Sequence, residues 1–150
     1  MDVNFLVAYI GIGLLVGVSF MASAVAVSIC GQAVVGAMKK RPESFGTYMI
    51  LSALTTSQGI YGFVAFILFR PILLQPEISS MQATAILGAG ILMAVAGYFA
   101  NVGQAKICAN GIEATASGHS VTAKTMILAA FPETFGLFSL VVAVLISIAI

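Results

Sequence analysis

Uncharged apolar runs alternate with short charged clusters along this chain, and the alternation divides it into four helical segments. Residues 3–38 carry no charged side chain, and Lys39, Lys40, Arg41, Pro42 and Glu43 then make a polar turn. A second run extends from about Phe45 to Phe69 and is expected to stop at Arg70-Pro71, where proline removes a backbone donor. The stretch from Arg70 to Ser80, with Pro71, Pro76 and Glu77, reads as a loop. A third run starts near Met81 and reaches about Ile112; Glu113 to Lys124 forms the next connection, and the last run covers about Thr125 to Ile150. Each run meets or exceeds the roughly 20 apolar residues that a helix needs to cross a bilayer core about 30 Å thick. The first and third are longer than this, so they are expected to tilt or to project beyond the hydrocarbon.

Composition narrows the class further. The 150 residues are 61% hydrophobic and only 7% charged, too little charge to keep a soluble domain of this size dissolved. A net charge of +1 leaves no basic face for nucleic acid. Cys30 and Cys108 lie inside apolar runs and read as packed free thiols, not a disulfide framework. Asp2 stands where a secretory leader would be basic, and the first run far exceeds a leader's apolar core, so cleavage is not expected. Abundant Gly and Ala suit close helix packing in lipid. The first connection carries three Lys or Arg and the third carries Lys124, with Lys106 nearby, whereas the middle one has only Arg70. The positive-inside rule then places the first and third connections in the cytoplasm, with both termini and the middle loop opposite.

The chain also repeats itself. A shift of 77 places Met49-Ile50-Leu51-Ser52-Ala53 on Met126-Ile127-Leu128-Ala129-Ala130, and Gly59-Ile60-Tyr61 on Gly136-Leu137-Phe138. A shift of 72 places Met21-Ala22 on Met93-Ala94 and Gly31-Gln32-Ala33 on Gly103-Gln104-Ala105. The expected architecture is an all-α integral membrane protein of two tandem duplicated helical hairpins. The first hairpin spans 1–75, with helices of about 3–38 and 45–69; the second spans 76–150, with helices of about 81–112 and 125–150. The repeat breaks at Glu133, which falls on Thr56, so one carboxylate serves both hairpins.

Glu133 is the only acid deep within a span, about eight residues or roughly 12 Å past Thr125. Asp2, Glu43, Glu77 and Glu113 lie at span ends or in loops. An ionised carboxylate there costs several kcal/mol unless it is paired, protonated or given a cation. No Lys or Arg lies at similar depth, so the neutralising charge is expected to be mobile: a proton or a metal cation. The plainer alternative is a permanently protonated Glu that hydrogen-bonds two helices, a task Gln or Ser would do at less cost. Thr55, Thr56, Ser57 and Gln58 in the second span, Asn101 and Gln104 in the third, and Thr134 beside Glu133 are polar at comparable depth. Ser57 and Gln58 are expected to meet Glu133, with Gln104 about one turn away. A shell of neutral oxygens around one carboxylate suits a hard cation such as Na⁺, whereas a proton needs only the carboxylate and one acceptor. Pro132 is expected to free the Leu128 carbonyl and bend the helix at the carboxylate. Tyr61, one turn beyond Ser57, is placed to donate to Glu133 or simply to pack.

These residues together resemble the proteolipid ring subunit, called c or K, of bacterial V/A-type rotary ATPases. The resemblance covers the duplicated hairpins, the glycine-rich first and third spans, and the single Pro-Glu-Thr of the fourth. The segment Leu54-Thr55-Thr56-Ser57-Gln58-Gly59-Ile60-Tyr61-Gly62-Phe63 is similar to the second-helix motif of sodium-binding members, and Gln104 matches their third-helix glutamine. The resemblance implies an Na⁺ shell of the Leu54 backbone carbonyl, the Ser57 hydroxyl, the Gln58 and Gln104 amide oxygens and the Glu133 carboxylate, with Tyr61 holding the carboxylate closed. Thr55 stands where a proline can follow the matched leucine, and Ser57 in place of Thr keeps the hydroxyl. It further implies identical copies in a ring that turns against a stator subunit bearing an essential Arg, with central-stalk subunits at the cytoplasmic loops. ATP chemistry would lie on other subunits. Gly11-Ile12-Gly13-Leu14-Leu15-Val16-Gly17 has the wrong spacing for a phosphate loop and reads as helix packing. Three other readings stand beside Na⁺ transport: the same ring carrying H⁺, a small four-helix multidrug or solute exporter, and a structural tetraspan protein. Exporters of that kind carry their carboxylate in the first span, which here has none. His119 is read as a solvated loop residue.

Overall fold

The computed structural model describes residues 2–150 as four long helices. They are α1 (Val3–Met38), α2 (Pro42–Leu73), α3 (Ser80–Ala116) and α4 (Thr122–Ala149), each long and apolar enough to cross a membrane. The fold is all-helical, in the class its hydropathy pattern predicts. Short connections force successive helices to run antiparallel. The α3 helix packs on all three others, whereas α1 packs on α2 and α3 but not appreciably on α4.

Several helix ends differ from the sequence expectation. α2 does not stop at Arg70-Pro71 but continues through Pro71 to Leu73. Proline in a last turn forfeits one hydrogen bond, and burial of Ile72 and Leu73 against α1 and α3 offsets that loss. α3 begins at Ser80, where Ser79 and Gln82 form a reciprocal capping box. It also runs a turn past Ile112, to Ala116. There Gly118 adopts φ +96°, and the N–H groups of Gly118 and His119 return to the Thr115 and Ala114 carbonyls at 3.0 and 3.1 Å. Only glycine enters that left-handed conformation without cost, so the helix ends here. The α4 helix starts at Thr122 and passes through Pro132 without interruption.

In lipid the helices cannot be held by burying apolar surface from water, so close packing must hold them. The tightest crossing joins α1 to α3. A Cβ on Gly90 would land on the Gly11 backbone, and one on Gly11 would fall 2.7 Å from the Ile86 carbonyl oxygen. The outer faces, by contrast, expose Phe131, Phe135, Leu145 and Ile148 of α4 and Ile60, Phe63 and Ile67 of α2. A soluble protein would hide such a surface, and hydrocarbon accepts it.

The interior divides by depth. One apolar cluster, built on Leu15, Phe69, Ile86 and Met93, fills the half nearer the termini. A second, built on Tyr48, Leu51, Cys108 and Ile112, fills the half nearer the basic connections. Between them lies a layer of buried polar side chains that includes Thr55, Gln58, Asn101 and Gln104, each no more than 2% exposed. This layer contains Glu133.

Candidate functional site

The polar layer begins with an irregularity in α2. Leu54–Thr56 form a 3₁₀ turn between the α-helical stretches Phe45–Ala53 and Ser57–Leu73. Three consecutive hydroxyls cause and satisfy it. Thr55 and Thr56 donate to the Ser52 and Ala53 carbonyls, each at 2.8 Å, and Ser57 donates to the Leu54 carbonyl at 3.3 Å. Hydroxyl bonds to nearby carbonyls compete with the helical ladder and distort it. The Leu54 carbonyl and the Ser57 hydroxyl are thereby set side by side.

From α1, Ser23 closes the other side of the turn. Its hydroxyl accepts the Gly59 N–H at 2.8 Å and donates to the Thr56 carbonyl at 3.3 Å. The Asn101 amide of α3 reaches the same hydroxyl at 3.4 Å. Ser23 carried no signal in the sequence beyond being a hydroxyl in a glycine- and alanine-rich run, and its role depends on which helix it faces.

Glu133 is half-buried, and both of its carboxylate oxygens are occupied. The Tyr61 hydroxyl of α2 donates to Oε1 at 3.1 Å, and the Gln104 amide Nε2 of α3 donates to Oε2 at 2.9 Å. Three helices therefore meet at one carboxylate. Gln104, expected about one turn away, is in direct contact with it. Among the described residues the one ion pair is the exposed Arg41–Glu43 contact at 3.6 Å, so no basic side chain pairs with Glu133. No group of three His, Cys, Asp or Glu capable of holding a metal occurs among the described residues either. Any cation held here would rest on this single carboxylate and neutral oxygens.

Gln58 fills a slot made by two glycines. A Cβ on Gly97 of α3 would strike its amide nitrogen, and one on Gly136 of α4 would lie 2.5 Å from its amide oxygen. Gly136 follows Glu133 by one helical turn, which places the Gln58 oxygen beside the carboxylate's own helix. The Gln58 Nε2 is buried without a hydrogen-bond partner. Of the polar residues expected at this depth, Tyr61 and Gln104 bond Glu133 directly, Gln58 lies against Gly136 one turn beyond it, and Ser57 bonds the Leu54 carbonyl within α2. Asn101 faces α1, and Thr134 is exposed and spends its hydroxyl on the Ala130 carbonyl at 2.8 Å.

The Tyr61 contact makes a prediction. A hydrogen bond to a charged group is worth about 1.5–3 kcal/mol, so Tyr61→Phe should free the carboxylate to turn away from its inward position and meet a reagent. Carbodiimide modification of Glu133 is expected to accelerate about 10-fold, since 1.4 kcal/mol corresponds to that factor. Labelling at the unaltered rate would make Tyr61 a packing residue.

Comparison with known proteins agrees with this architecture. The family model for the C subunit of ATP synthase matches twice, over residues 10–69 and 87–146. The two matches are offset by 77 residues at both ends, which places Gly11 and Gly13 on Gly88 and Gly90. The shift of 72 read from Gly31-Gln32-Ala33 is therefore not the register of the repeat. Gln32 lies half as far from the end of its helix as Gln104 does, so the two are not at one depth. The V-type sodium ATPase subunit K of Enterococcus hirae is 36% identical over 129 residues, covering 85% of this chain and 81% of that protein. The A-type ATP synthase subunit K of Methanocaldococcus jannaschii is 30% identical over 141 residues, covering 94% of this chain. This chain spans about three fifths (61%) of that relative's length. With two matches in tandem, four apolar helices and two K subunits as relatives, the chain belongs to the family of ATP synthase C subunits, as a proteolipid of the V/A-type c/K kind.

Proposed function

We propose that this chain carries Na⁺ across the membrane as one subunit of a rotary-ATPase rotor ring, binding the ion reversibly at Glu133. The observation that carries the choice of ion is Gln58. A buried amide nitrogen without a partner costs about 1–3 kcal/mol, and a proton carrier has no use for that amide. A cation ligated by the amide oxygen, which lies beside Gly136 one turn from the carboxylate, would give the buried amide a partner on its acceptor side.

The ligand set is Glu133, the Gln58 and Gln104 amide oxygens, the Ser57 hydroxyl and the Leu54 carbonyl. With Na⁺ bound, carboxylate and cation sum to zero charge, which lets the site face lipid. Gln104 now donates its nitrogen to Glu133. Ligation requires its amide to turn over and present the oxygen, a rotation about its terminal torsion alone. Tyr61 retains its bond to Oε1 and keeps the carboxylate turned inward. Release needs a competing positive charge, which a stator arginine would bring as the ring turns past it. The basic connections at residues 39–43 and 113–124 face the cytoplasm in this reading and meet the central stalk. The chain performs no ATP chemistry. The E. hirae relative is named a sodium ATPase subunit, in keeping with this ion.

The test follows carbodiimide modification of Glu133 in purified protein at fixed pH while sodium is raised. Bound Na⁺ should exclude the proton that the reagent requires, so protection is expected to rise with sodium. In Gln58→Ala or Gln104→Ala, the sodium needed for half-protection is expected to increase about 10-fold or more, at the scale of one charge-assisted contact. Labelling that follows pH and ignores sodium would make the cargo H⁺.

A further inference from the structure

Gln58 and Asn101 each keep one buried polar atom without a partner, and the two atoms are complementary. The Gln58 Nε2 is a donor and the Asn101 Oδ1 an acceptor. Both side chains are 2% exposed. Among the described residues the one further atom of this kind is the Ser52 hydroxyl oxygen. It precedes Gln58 on α2 by six residues, roughly 9 Å of helix, and lies out of reach.

Backbone position brings the two amides together. The Gln58 Nε2 lies over Gly97 of α3, where a Cβ would strike it. Asn101 follows Gly97 by four residues, one turn along the same helix face. A helical side chain leans toward the N-terminus of its helix and covers the turn before its own Cα. For Asn101 that turn is the one at Gly97, which has no side chain to keep the amides apart.

The orientation of Asn101 is set from α1. A serine hydroxyl has one proton and two lone pairs, and Ser23 has committed all three. Its proton goes to the Thr56 carbonyl at 3.3 Å, and its lone pairs take the Gly59 N–H at 2.8 Å and the Asn101 Nδ2 at 3.4 Å. Ser23 has no proton left to give, so Asn101 must turn its nitrogen to α1. Its oxygen is thereby left free to accept from Gln58.

We propose that Asn101 is a positioning residue for the cation site: its Oδ1 takes the Gln58 Nε2–H and holds the Gln58 oxygen toward Glu133. This rests on the sodium reading given under Proposed function and adds the group that orients one of its ligands. The bond is made by turning the two amides about their terminal torsions, which are soft. Turned the other way, Gln58 would set its oxygen against that of Asn101. It would then offer its nitrogen to the carboxylate, as Gln104 does, and compete with the cation. Asn101 opposes that orientation twice, by repulsion between the oxygens and by the lost bond. Ligation at the Gln58 oxygen polarises its N–H in turn and strengthens the bond to Asn101. The first span supplies no atom to the cation, yet acts on it through Ser23 and Asn101.

The experiment measures carbodiimide modification of Glu133 in purified protein, at fixed pH, while sodium is raised. Asn101→Ala is expected to raise the sodium needed for half-protection about 5-fold, the scale of one neutral hydrogen bond. In a Gln58→Ala background the same change should add nothing, because a residue that acts through Gln58 has no effect once Gln58 is gone. A purely structural role would weaken the site in both backgrounds. Alongside, a structure of the wild-type protein in saturating sodium is expected to place Gln58 Nε2 and Asn101 Oδ1 at about 2.7–3.2 Å. Unaltered half-protection in Asn101→Ala, or an equal further loss in the Gln58→Ala background, would overturn the positioning role and leave the sodium reading in place. Should Asn101→Ala not fold, the sodium-loaded structure decides, and the two atoms beyond hydrogen-bond distance would overturn the assignment. Wild-type labelling that ignores sodium would overturn the sodium reading itself, and the role of Asn101 with it.

Discussion

Glu133→Gln is expected to abolish cation transport while leaving the folded chain and its assembly intact. The two side chains have nearly the same shape, and glutamine can still take a hydrogen bond from Tyr61 or Gln104. What disappears is the only negative charge within the membrane layer. A cation placed among neutral oxygens alone would then carry an uncompensated charge, at a cost of at least about 3 kcal/mol by insertion scales. That corresponds to a loss of about 100-fold or more in occupancy. Sodium uptake by vesicles containing the complete ATPase measures the transport, and native gel migration measures the assembly. Uptake remaining above a tenth of the wild-type rate would remove Glu133 from the transport path.

Gly90→Val is expected to have the largest effect on the fold itself. Its Cβ would enter the space occupied by the Gly11 carbonyl group, and both atoms belong to helix backbone. Neither helix can yield locally, so α1 and α3 must separate along their length. Overpacking typically costs about 1–3 kcal/mol, and a backbone-to-backbone clash falls at the upper end or beyond. In lipid no hydrophobic drive restores the contact once the packing is lost. The expected result is a sharp fall in thermal stability in detergent and in yield of folded protein, measured beside Gly13→Val. Position 13 has open space in the single chain, so its variant should keep the monomer's stability. Equal stabilities of the two variants would contradict the crossing.

Much of this was legible in the sequence because the governing costs act on one residue at a time. An apolar run of sufficient length is a membrane helix whatever it packs against, since its own backbone must satisfy itself in lipid. A solitary carboxylate in such a run demands a counter-charge wherever its neighbours lie. Four spans and the singularity of Glu133 followed from these two facts. The Tyr61–Glu133 contact was within reach as well, because antiparallel helices of known polarity bring similar depths together.

What required the tertiary structure was every quantity that depends on how far one helix slides along another. Gln104 touches Glu133 directly because α3 and α4 are set in place where Gly111 admits Thr125. No count of residues from a loop fixes that offset to within a turn. The continuation of α2 through Pro71 depended on a cluster supplied by other helices, which local propensity cannot see. The Gly-Gln-Ala match suggested a shift of 72, but depth in the bundle is shared at 77, since helices pack by position and not by tripeptide identity. Sequence by itself determined which segments enter the membrane and which charge must be neutralised there. Tertiary structure alone decided which neutral atoms surround that charge, because glycine-to-backbone contacts, and not hydropathy, set the helices' relative positions.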